Sequence, residues 1–204
     1  MLDLSNCSVV IIGGGAVAAR KAASLIEAGA AHIRVISPDF HADLPPSVER
    51  ILAHYTPDHL QGARLAFAAT NSSEVNSAVV RDARHLGIWV NRADSGEDYP
   101  GDFTIPAQLR AGASLLLTVS ADGSPSLAAN LRDSLRDSLD PRWPRLAEAL
   151  HTIRPRIRNT VDIEHRRTIL RDLASTEALE IISHGDAQSL WQWAVARHPE
   201  LAQP

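Results

Sequence analysis

Cysteine is almost absent from this chain, since Cys7 is the only one among 204 residues. A single thiol excludes a disulfide framework and a thiolate metal cluster within one chain, so we interpret Cys7 as a structural residue. Long apolar runs are also missing, because no stretch approaches the roughly 20 residues that span a bilayer. The N-terminus lacks the basic flank and the cleavage signature of a secretory peptide. We therefore expect a cytoplasmic protein that has no membrane partner.

Aromatic residues and lysine are scarce as well. Aromatic side chains make up 4% of the chain and its net charge is -4, so the basic, aromatic-interleaved pattern of a nucleic-acid-binding protein is missing. The nine histidines are scattered without the spacing of metal ligands, and we expect no permanent metal site. Lysine occurs once, at Lys21, and the other 19 basic residues are arginines. That bias either suits bidentate binding of carboxylates or reflects genome composition.

Residues 8–29 carry the most informative pattern, an apolar run followed by three glycines and a stretch of small residues. The spacing is Gly13-x-Gly15-x-x-Ala18. In it, Gly13 permits a tight turn, Gly15 lets the backbone approach a pyrophosphate, and Ala18 lets the helix pack close to the strand. The N-terminal amides of a helix predicted over 16–28 would face the phosphates. This pattern predicts a dinucleotide-binding turn between a strand and a helix, rather than an ordinary glycine-rich turn.

Apolar runs alternate with helical ones through the first half of the chain. Such alternation predicts a parallel sheet with helices on both faces, joined by right-handed crossovers. The second clear helix is predicted over 73–86, opening at a serine cap and closing before Gly87. The predicted strands cover 9–12, 33–36, 51–54, 65–69 and 88–91. The turn-rich segment 94–102 marks the predicted end of this Rossmann-like domain at residue 102.

The second half of the chain follows a different pattern. Two strands are predicted over 103–106 and 114–120, separated by a turn around 110–112. A helix is predicted over 127–139, and residues 145 to about 197 are predicted to be helical. On the first of these helices, leucines repeat every four residues and form one apolar stripe that suits a core or a dimer seam. The stripe consists of Leu127, Leu131, Leu135 and Leu139.

An ordered series of short motifs runs through about residues 2–140. It comprises Leu2-Asp-Leu4, Gly13-Gly-Gly-Ala-Val-Ala18 with Arg20-Lys21, Ser37-Pro38, Ala68-Ala-Thr-Asn71, Val90-Asn91-x-x-Asp94, Asp102-Phe-Thr-Ile-Pro106, and Ser120-Ala-Asp-Gly-Ser-Pro125 with Leu127-Ala128. In this order and spacing, the sequence resembles the precorrin-2 dehydrogenases and sirohydrochlorin ferrochelatases of siroheme biosynthesis.

The resemblance implies an NAD-dependent oxidation of precorrin-2 to sirohydrochlorin, in which the tetrapyrrole loses a hydride and a proton. Some members of that family also insert ferrous iron. The resemblance further implies a homodimer whose tetrapyrrole substrate lies between domains. We accordingly divide the chain into a Rossmann-like NAD-binding domain (1–102), a small α+β dimerisation domain (103–144) and a helical C-terminal domain (145–204). A chelatase without oxidase activity and a non-catalytic NAD-sensing module are the alternatives.

Asp94 matches the catalytic aspartate of that family, and its position supports the match. It follows the fifth predicted strand, at the sheet edge where ligands of doubly wound folds collect. A carboxylate there either accepts the proton lost as hydride leaves or takes up protons during metal insertion. The alternative is that Asp94 only begins an acidic turn. Ser124 matches a family serine near the active site and either contacts substrate or caps the helix beside Pro125.

The cofactor is predicted to be NAD, bound by three segments that follow strands. Asp39 follows the second strand, where an acidic residue usually binds ribose hydroxyls, and no arginine follows in that loop to accommodate a 2'-phosphate. Asp39 alternatively caps the next turn. The predicted cofactor-binding residues are Gly13, Gly14, Gly15, Ala16, Val17, Ser37, Pro38, Asp39, Ala69, Thr70 and Asn71.

The middle of the chain is basic, with 11 basic and 7 acidic residues over 103–171 against 8 and 12 over 1–102. The tetrapyrrole substrate that the resemblance implies carries many carboxylates. Arg110, Arg132 and Arg136 are therefore candidates for substrate contacts, with solvated helix faces as the alternative account.

Overall fold

The computed structural model describes residues 2–94, 101–122 and 124–202. The chain divides into two compact units, Met1–Ile105 and Pro106–Pro204. Residues 95–100 of the predicted boundary segment 94–102 lie outside the described residues. The predicted domains 103–144 and 145–204 fall largely within the second unit, and the division into three domains stays a prediction.

The first unit is built on a five-stranded parallel sheet. The strand order is β3-β2-β1-β4-β5, and the strands are β1 Ser8–Ile12, β2 His32–Ser37, β3 Glu49–Leu52, β4 Leu65–Ala68 and β5 Trp89–Arg92. Two α-helices, α1 Ala16–Glu27 and α2 Ser73–His85, and a short 3-10 helix, Pro57–Leu60, connect them. This arrangement confirms the predicted Rossmann-like fold, with each strand placed within two residues of its prediction.

The central strand β1 explains why the sheet forms. Its residues 9–12 are all apolar and at most 1% exposed, which is typical of a parallel strand that is covered on both faces. Alternate residues point to opposite sides. Val9 and Ile11 pack with α1, whereas Val10 and Ile12 belong to the core on the α2 side. Two separate cores therefore hold the two layers of helices against one sheet.

The strand order also fixes where a ligand can bind. From β1 the chain runs outward through β2 and β3, and then returns to the other side of β1 to form β4 and β5. Strand order therefore reverses at β1. In open α/β sheets, ligands bind at the carboxyl ends of the strands beside such a reversal.

The second unit opens with an antiparallel hairpin of β6 Ala107–Ala111 and β7 Leu115–Val119. The predicted strand over 103–106 was wrong. Phe103 packs edge to face on Phe67 of the first core, with ring centroids 5.6 Å apart, and Pro106 has no amide proton to donate to a ladder. The predicted turn was also placed two residues early, because β6 runs through Ala111 and the turn covers residues 112–114, beginning at Gly112, whose φ is +67°.

The rest of the second unit is helical. It contains α3 Pro125–Ser138, α4 Arg142–Thr160, α5 Ile163–Asp172, α6 Thr176–His184, α7 Ala187–Arg197 and a 3-10 helix, Pro199–Ala202. Helices α4 to α7 enclose a core of their own, in which Ile153, Ile157 and Ile169 are at most 1% exposed. The leucine stripe of α3 is different, because Leu127, Leu131 and Leu135 are 42–50% exposed. Among the described helices, none combines the length and apolarity needed to cross a membrane.

Candidate functional site

The three predicted cofactor-binding segments meet at the carboxyl edge of the sheet. The Gly13 amide donates to the Ile36 carbonyl over 2.9 Å, and the Ala69 amide donates to the Ile12 carbonyl over 2.8 Å. The Gly14 carbonyl accepts from the His41 amide, which follows β2, over 2.7 Å. Backbone hydrogen bonds thus join the ends of β1, β2 and β4 into one surface.

Two of the three glycines are required by close packing, and the third borders open space. Gly13 has φ +113°, and a Cβ atom there would lie 2.9 Å from the Thr70 amide nitrogen and nearer still to the Ala69 carbonyl. A Cβ atom on Gly14 would lie 2.8 Å from the Ser37 Cβ atom. A Cβ atom on Gly15 would meet no heavy atom of the described residues within 4 Å. The Gly15 backbone is therefore open to a ligand.

The N-terminus of α1 lies at this opening and has no cap of its own. Gly15 is its N-cap residue and has no side chain to accept from the first-turn amides, and that turn carries no acidic residue. By contrast, the Ser72 hydroxyl caps α2 by accepting from the Val75 amide over 3.3 Å. Unpaired amides and the helix dipole make such an end a binding site for anions. The exposed residues Ala16 and Val17 leave room for one, so the segment fits a dinucleotide pyrophosphate.

The end of β2 supplies a carboxylate beside this loop. Ser37 is 4% exposed, and its hydroxyl donates to Asp39 Oδ1 over 3.4 Å. Pro38 and Asp39 are exposed. The Asp39 carboxylate is therefore available to ribose hydroxyls, as an acidic residue at this position of the fold usually is.

The end of β4 is held by a residue that sequence reasoning missed. Asn76 of α2 is fully buried. Its Oδ1 accepts from the Thr70 amide over 3.1 Å and from the Thr70 hydroxyl over 2.8 Å, and its Nδ2 donates to the Thr70 carbonyl over 3.1 Å. These three bonds fix the backbone of the segment 69–71, in which Asn71 is exposed. The sequence contained one indication of this role. Asn76 falls on the apolar face of α2, and a buried amide there requires a hydrogen-bond partner.

Asp94 follows β5 and is paired with an arginine on that strand. Arg92 Nε lies 2.5 Å from Asp94 Oδ1, and Arg92 Nη2 lies 3.0 Å from Asp94 Oδ2. Hydrogen bonding from Arg92, with a smaller contribution from Asn76, holds the pKa of Asp94 below its ordinary value despite partial burial. The side chain remains 27% exposed. Asp94 is therefore an ionised and partly accessible carboxylate at neutral pH.

Lys21 of α1 reaches the same strand from the opposite face of the sheet. Its ammonium donates to Asn91 Oδ1 over 2.9 Å, and Asn91 Nδ2 donates to the Phe103 carbonyl over 2.8 Å. Burial, followed by the charge of Arg20, lowers the pKa of Lys21. These hydrogen bonds connect β5 to α1 and to the segment at residues 101–103.

Ser124 lies in the second unit, whereas Asp94 lies in the first. Ser124 is the N-cap residue of α3, but its side chain makes no capping hydrogen bond within the described part of the chain. The described residues therefore show no side-chain hydrogen bond that would support the alternative role of Ser124 as a helix cap. Gly123, in the same motif, lies outside the described residues.

The three candidate arginines also lie in the second unit. Arg132 and Arg136 both donate to Asp133, over 2.8 and 2.6 Å, and Arg110 is exposed on β6. In the described segments, no group of three histidine, cysteine or acidic side chains could hold a metal ion.

Sequence comparison finds relatives along most of the chain. The siroheme synthase of Nitrosomonas eutropha is 33% identical over 195 residues, covering 92% of this chain and 40% of the relative. The siroheme synthase of Chromobacterium violaceum is 31% identical over 191 residues, covering 91% of this chain and 40% of the relative. The chain thus spans about two-fifths of the length of these curated relatives.

Structure comparison finds a solved protein of the same fold. The structure titled "SirC, precorrin-2 dehydrogenase" superposes with a TM-score of 0.74 at 24% identity, covering 96% of this chain and 98% of that one. The family model described as "Putative NAD(P)-binding" matches residues 1–107, which is just over half of the chain. The matched range contains the glycine turn, the ends of β2 and β4, and Asp94. The chain therefore belongs to this NAD(P)-binding family.

Proposed function

We propose that the protein catalyses the NAD-dependent oxidation of precorrin-2 to sirohydrochlorin, a step of siroheme and porphyrin-type biosynthesis. The names of the relatives, siroheme synthase and precorrin-2 dehydrogenase, support the substrate class. The observation that carries the proposal is the position of the Asp94 carboxylate, which is partly exposed and follows β5, the strand beside β4 at the sheet edge that forms the cofactor site.

Each part of the site has a role in this reaction. Gly15 and the uncapped amides of α1 bind the pyrophosphate, and Asp39 binds the ribose hydroxyls. NAD, when bound, supplies the acceptor for the hydride that leaves the tetrapyrrole. Asp94, the ionised carboxylate at this edge of the sheet, accepts the proton that the substrate loses in the same oxidation and releases it to solvent.

NAD is the proposed cofactor rather than NADP, because Asp39 would repel a 2'-phosphate. Competitive titration of the purified protein with the two cofactors tests this choice. Tighter binding of NADP would contradict the assignment of Asp39 to the ribose.

Ferrochelation of sirohydrochlorin is a second proposed activity, with ferrous iron as a substrate. Insertion of the metal displaces two pyrrole protons, and the ionised carboxylate of Asp94 can accept protons in this step as well. The same residue would then serve an oxidoreductase and a lyase reaction. We also propose that the chain acts as a homodimer, since the exposed leucines of α3 form an apolar face that suits a second copy.

An anaerobic assay with enzymatically generated precorrin-2 tests these activities. Oxidation is followed by the visible spectrum of sirohydrochlorin with and without NAD, and ferrous iron is then added. We expect oxidation only with NAD, and faster iron insertion than in a protein-free control. Acceleration of iron insertion alone would identify a chelatase. No response in either step, with NAD still bound, would identify a sensing module.

A further inference from the structure

The pairing of Arg92 with Asp94 fixes the carboxylate in one orientation. Two donors on one edge of the guanidinium meet both carboxylate oxygens, at 2.5 and 3.0 Å. A bidentate pair of this kind constrains direction as well as distance. Both oxygens keep further acceptor capacity, and the carboxylate is still partly exposed.

Arg92 is itself held in place by α2. Its Nη1 donates to the Ser77 hydroxyl over 3.1 Å, and its Nη2 also donates to the Ser73 hydroxyl over 2.9 Å. The arginine side chain is only 9% exposed. Because donors on both of its outer edges are engaged, the guanidinium has little freedom to rotate away from Asp94.

The same face of α2 also holds the cofactor-binding segment. Ser73, Asn76 and Ser77 are spaced at i, i+3 and i+4, so they line one face of the helix. Asn76 fixes Thr70, as described above, while Ser73 and Ser77 fix Arg92. One helical turn therefore sets the position of Asp94 relative to the segment that follows β4.

We propose that Arg92 is a positioning residue for the oxidation. It holds the Asp94 carboxylate in one orientation and, through Ser73 and Ser77, keeps it at a fixed position relative to the cofactor-binding segment. The inference rests on the proposed function, in which Asp94 accepts the proton. Arg92 touches neither substrate nor cofactor in this proposal. Its loss should impair the reaction step more than the binding of either molecule.

The test compares Arg92→Met and Arg92→Lys with Arg81→Met, an exposed arginine of α2 that serves as the matched control. For each variant, kcat and KM for precorrin-2, the Kd of NAD and the melting temperature are measured. We expect Arg92→Met to lower kcat by about 10-fold or more, with KM and the Kd of NAD within about threefold of the wild type. Arg92→Lys should recover part of the loss, since it keeps the charge but not the bidentate geometry. Arg81→Met should behave as the wild type.

A double-mutant comparison separates positioning from a general loss of structure. Arg92→Met added to Asp94→Asn should cost little beyond Asp94→Asn alone, because both changes remove the same contribution. Should Arg92→Met fail to fold, the Ser73→Ala/Ser77→Ala protein retains the charge of Arg92 and should still lower kcat while binding NAD normally.

Three kinds of result would overturn the proposal. A wild-type protein without NAD-dependent oxidation, or a fully active Asp94→Asn protein, would remove the proposed function on which the inference rests. An active wild type and an impaired Asp94→Asn protein, with Arg92→Met or the double serine variant as active as Arg81→Met, would refute the role of Arg92 alone. Losses of Arg92→Met and Asp94→Asn that multiply would also refute it.

Discussion

Two glycines of the same turn, Gly13 and Gly15, allow the stability of the fold and the binding of the cofactor to be tested separately. Gly13 has φ +113° and its Cβ position is filled by backbone of residues 69–70, whereas the Cβ position of Gly15 is open. Gly13→Ala should lower the free energy of unfolding by about 1–3 kcal/mol, because alanine tolerates neither that backbone conformation nor the close contact. Gly15→Ala should fold as the wild type but bind NAD at least about 10-fold more weakly, since the added methyl group occupies the ligand's space. Denaturant unfolding and NAD titration measure the two effects. Tight NAD binding by Gly15→Ala would place the pyrophosphate elsewhere.

Asp94→Asn is the most direct test of the proton acceptor. The amide keeps the size of the side chain but cannot accept a proton at neutral pH, so kcat should fall by about 100-fold or more while NAD still binds. Since Arg92 lowers the pKa of the native carboxylate, the wild type should keep its ionised form, and hence its activity, as the pH falls to about 4, the ordinary pKa of aspartate. The pH profile of kcat measures this. Loss of activity with an apparent pKa near 6 would assign the essential base to another group.

At the scale of elements, the helix α5 offers a pH test in the second unit. Its N-cap residue, Asp162, accepts from the His165 amide and lies 2.8 Å from His165 Nδ1. These contacts lower the pKa of Asp162 and raise that of His165. The stabilisation from Asp162 is complete above the pKa of an unfolded aspartate and is lost as the pH falls. That from His165 is complete below the pKa of an unfolded histidine and is lost as the pH rises.

Both contributions are therefore present together between about pH 4 and 6.5. Asp162→Asn keeps an acceptor at the N-cap but removes the charge. The difference in melting temperature between the wild type and this variant should be largest inside that window and shrink on both sides of it. A difference that does not vary with pH would show that the ion pair adds nothing to the cap.

The elements also show where prediction from sequence succeeds. The apolar run of β1 and the glycine turn after it were predicted correctly, because burial on both faces and a ligand-binding turn each constrain consecutive residues. The strand predicted over 103–106 failed because Phe103 packs on Phe67, a contact across 36 positions of sequence that no local pattern shows.

Sequence analysis did not identify the polar residues that hold Asp94 in place, for a related reason. Arg92 is two residues from Asp94 on one strand, but Ser73, Asn76 and Ser77 reach this pair only after α2 has packed on the sheet. The spacing of these residues along the chain does not reveal that the side chains of α2 lie beside Arg92 and Asp94. The residues of the candidate site that follow strands could therefore be predicted from the sequence. The side chains that hold those segments in place could be identified only from the structure.

At the scale of the whole molecule, the leucine stripe of α3 predicts the oligomeric state. Leu127, Leu131 and Leu135 are 42–50% exposed in a single chain, and a second copy that covers them would bury apolar surface on both chains. Leu131→Glu places a charge in the middle of this face and should convert the dimer into a monomer. Asn130→Glu, an exposed change on the same helix outside the stripe, should leave the dimer intact. Sedimentation equilibrium measures the mass of each protein. The Leu131→Glu monomer should remain folded, because Leu131 is not among the buried core residues of its own chain, but its melting temperature should lie below that of the dimer, since association stabilises the folded state. A Leu131→Glu protein that remains dimeric would place the interface elsewhere, and a monomeric wild type would contradict the proposed homodimer itself.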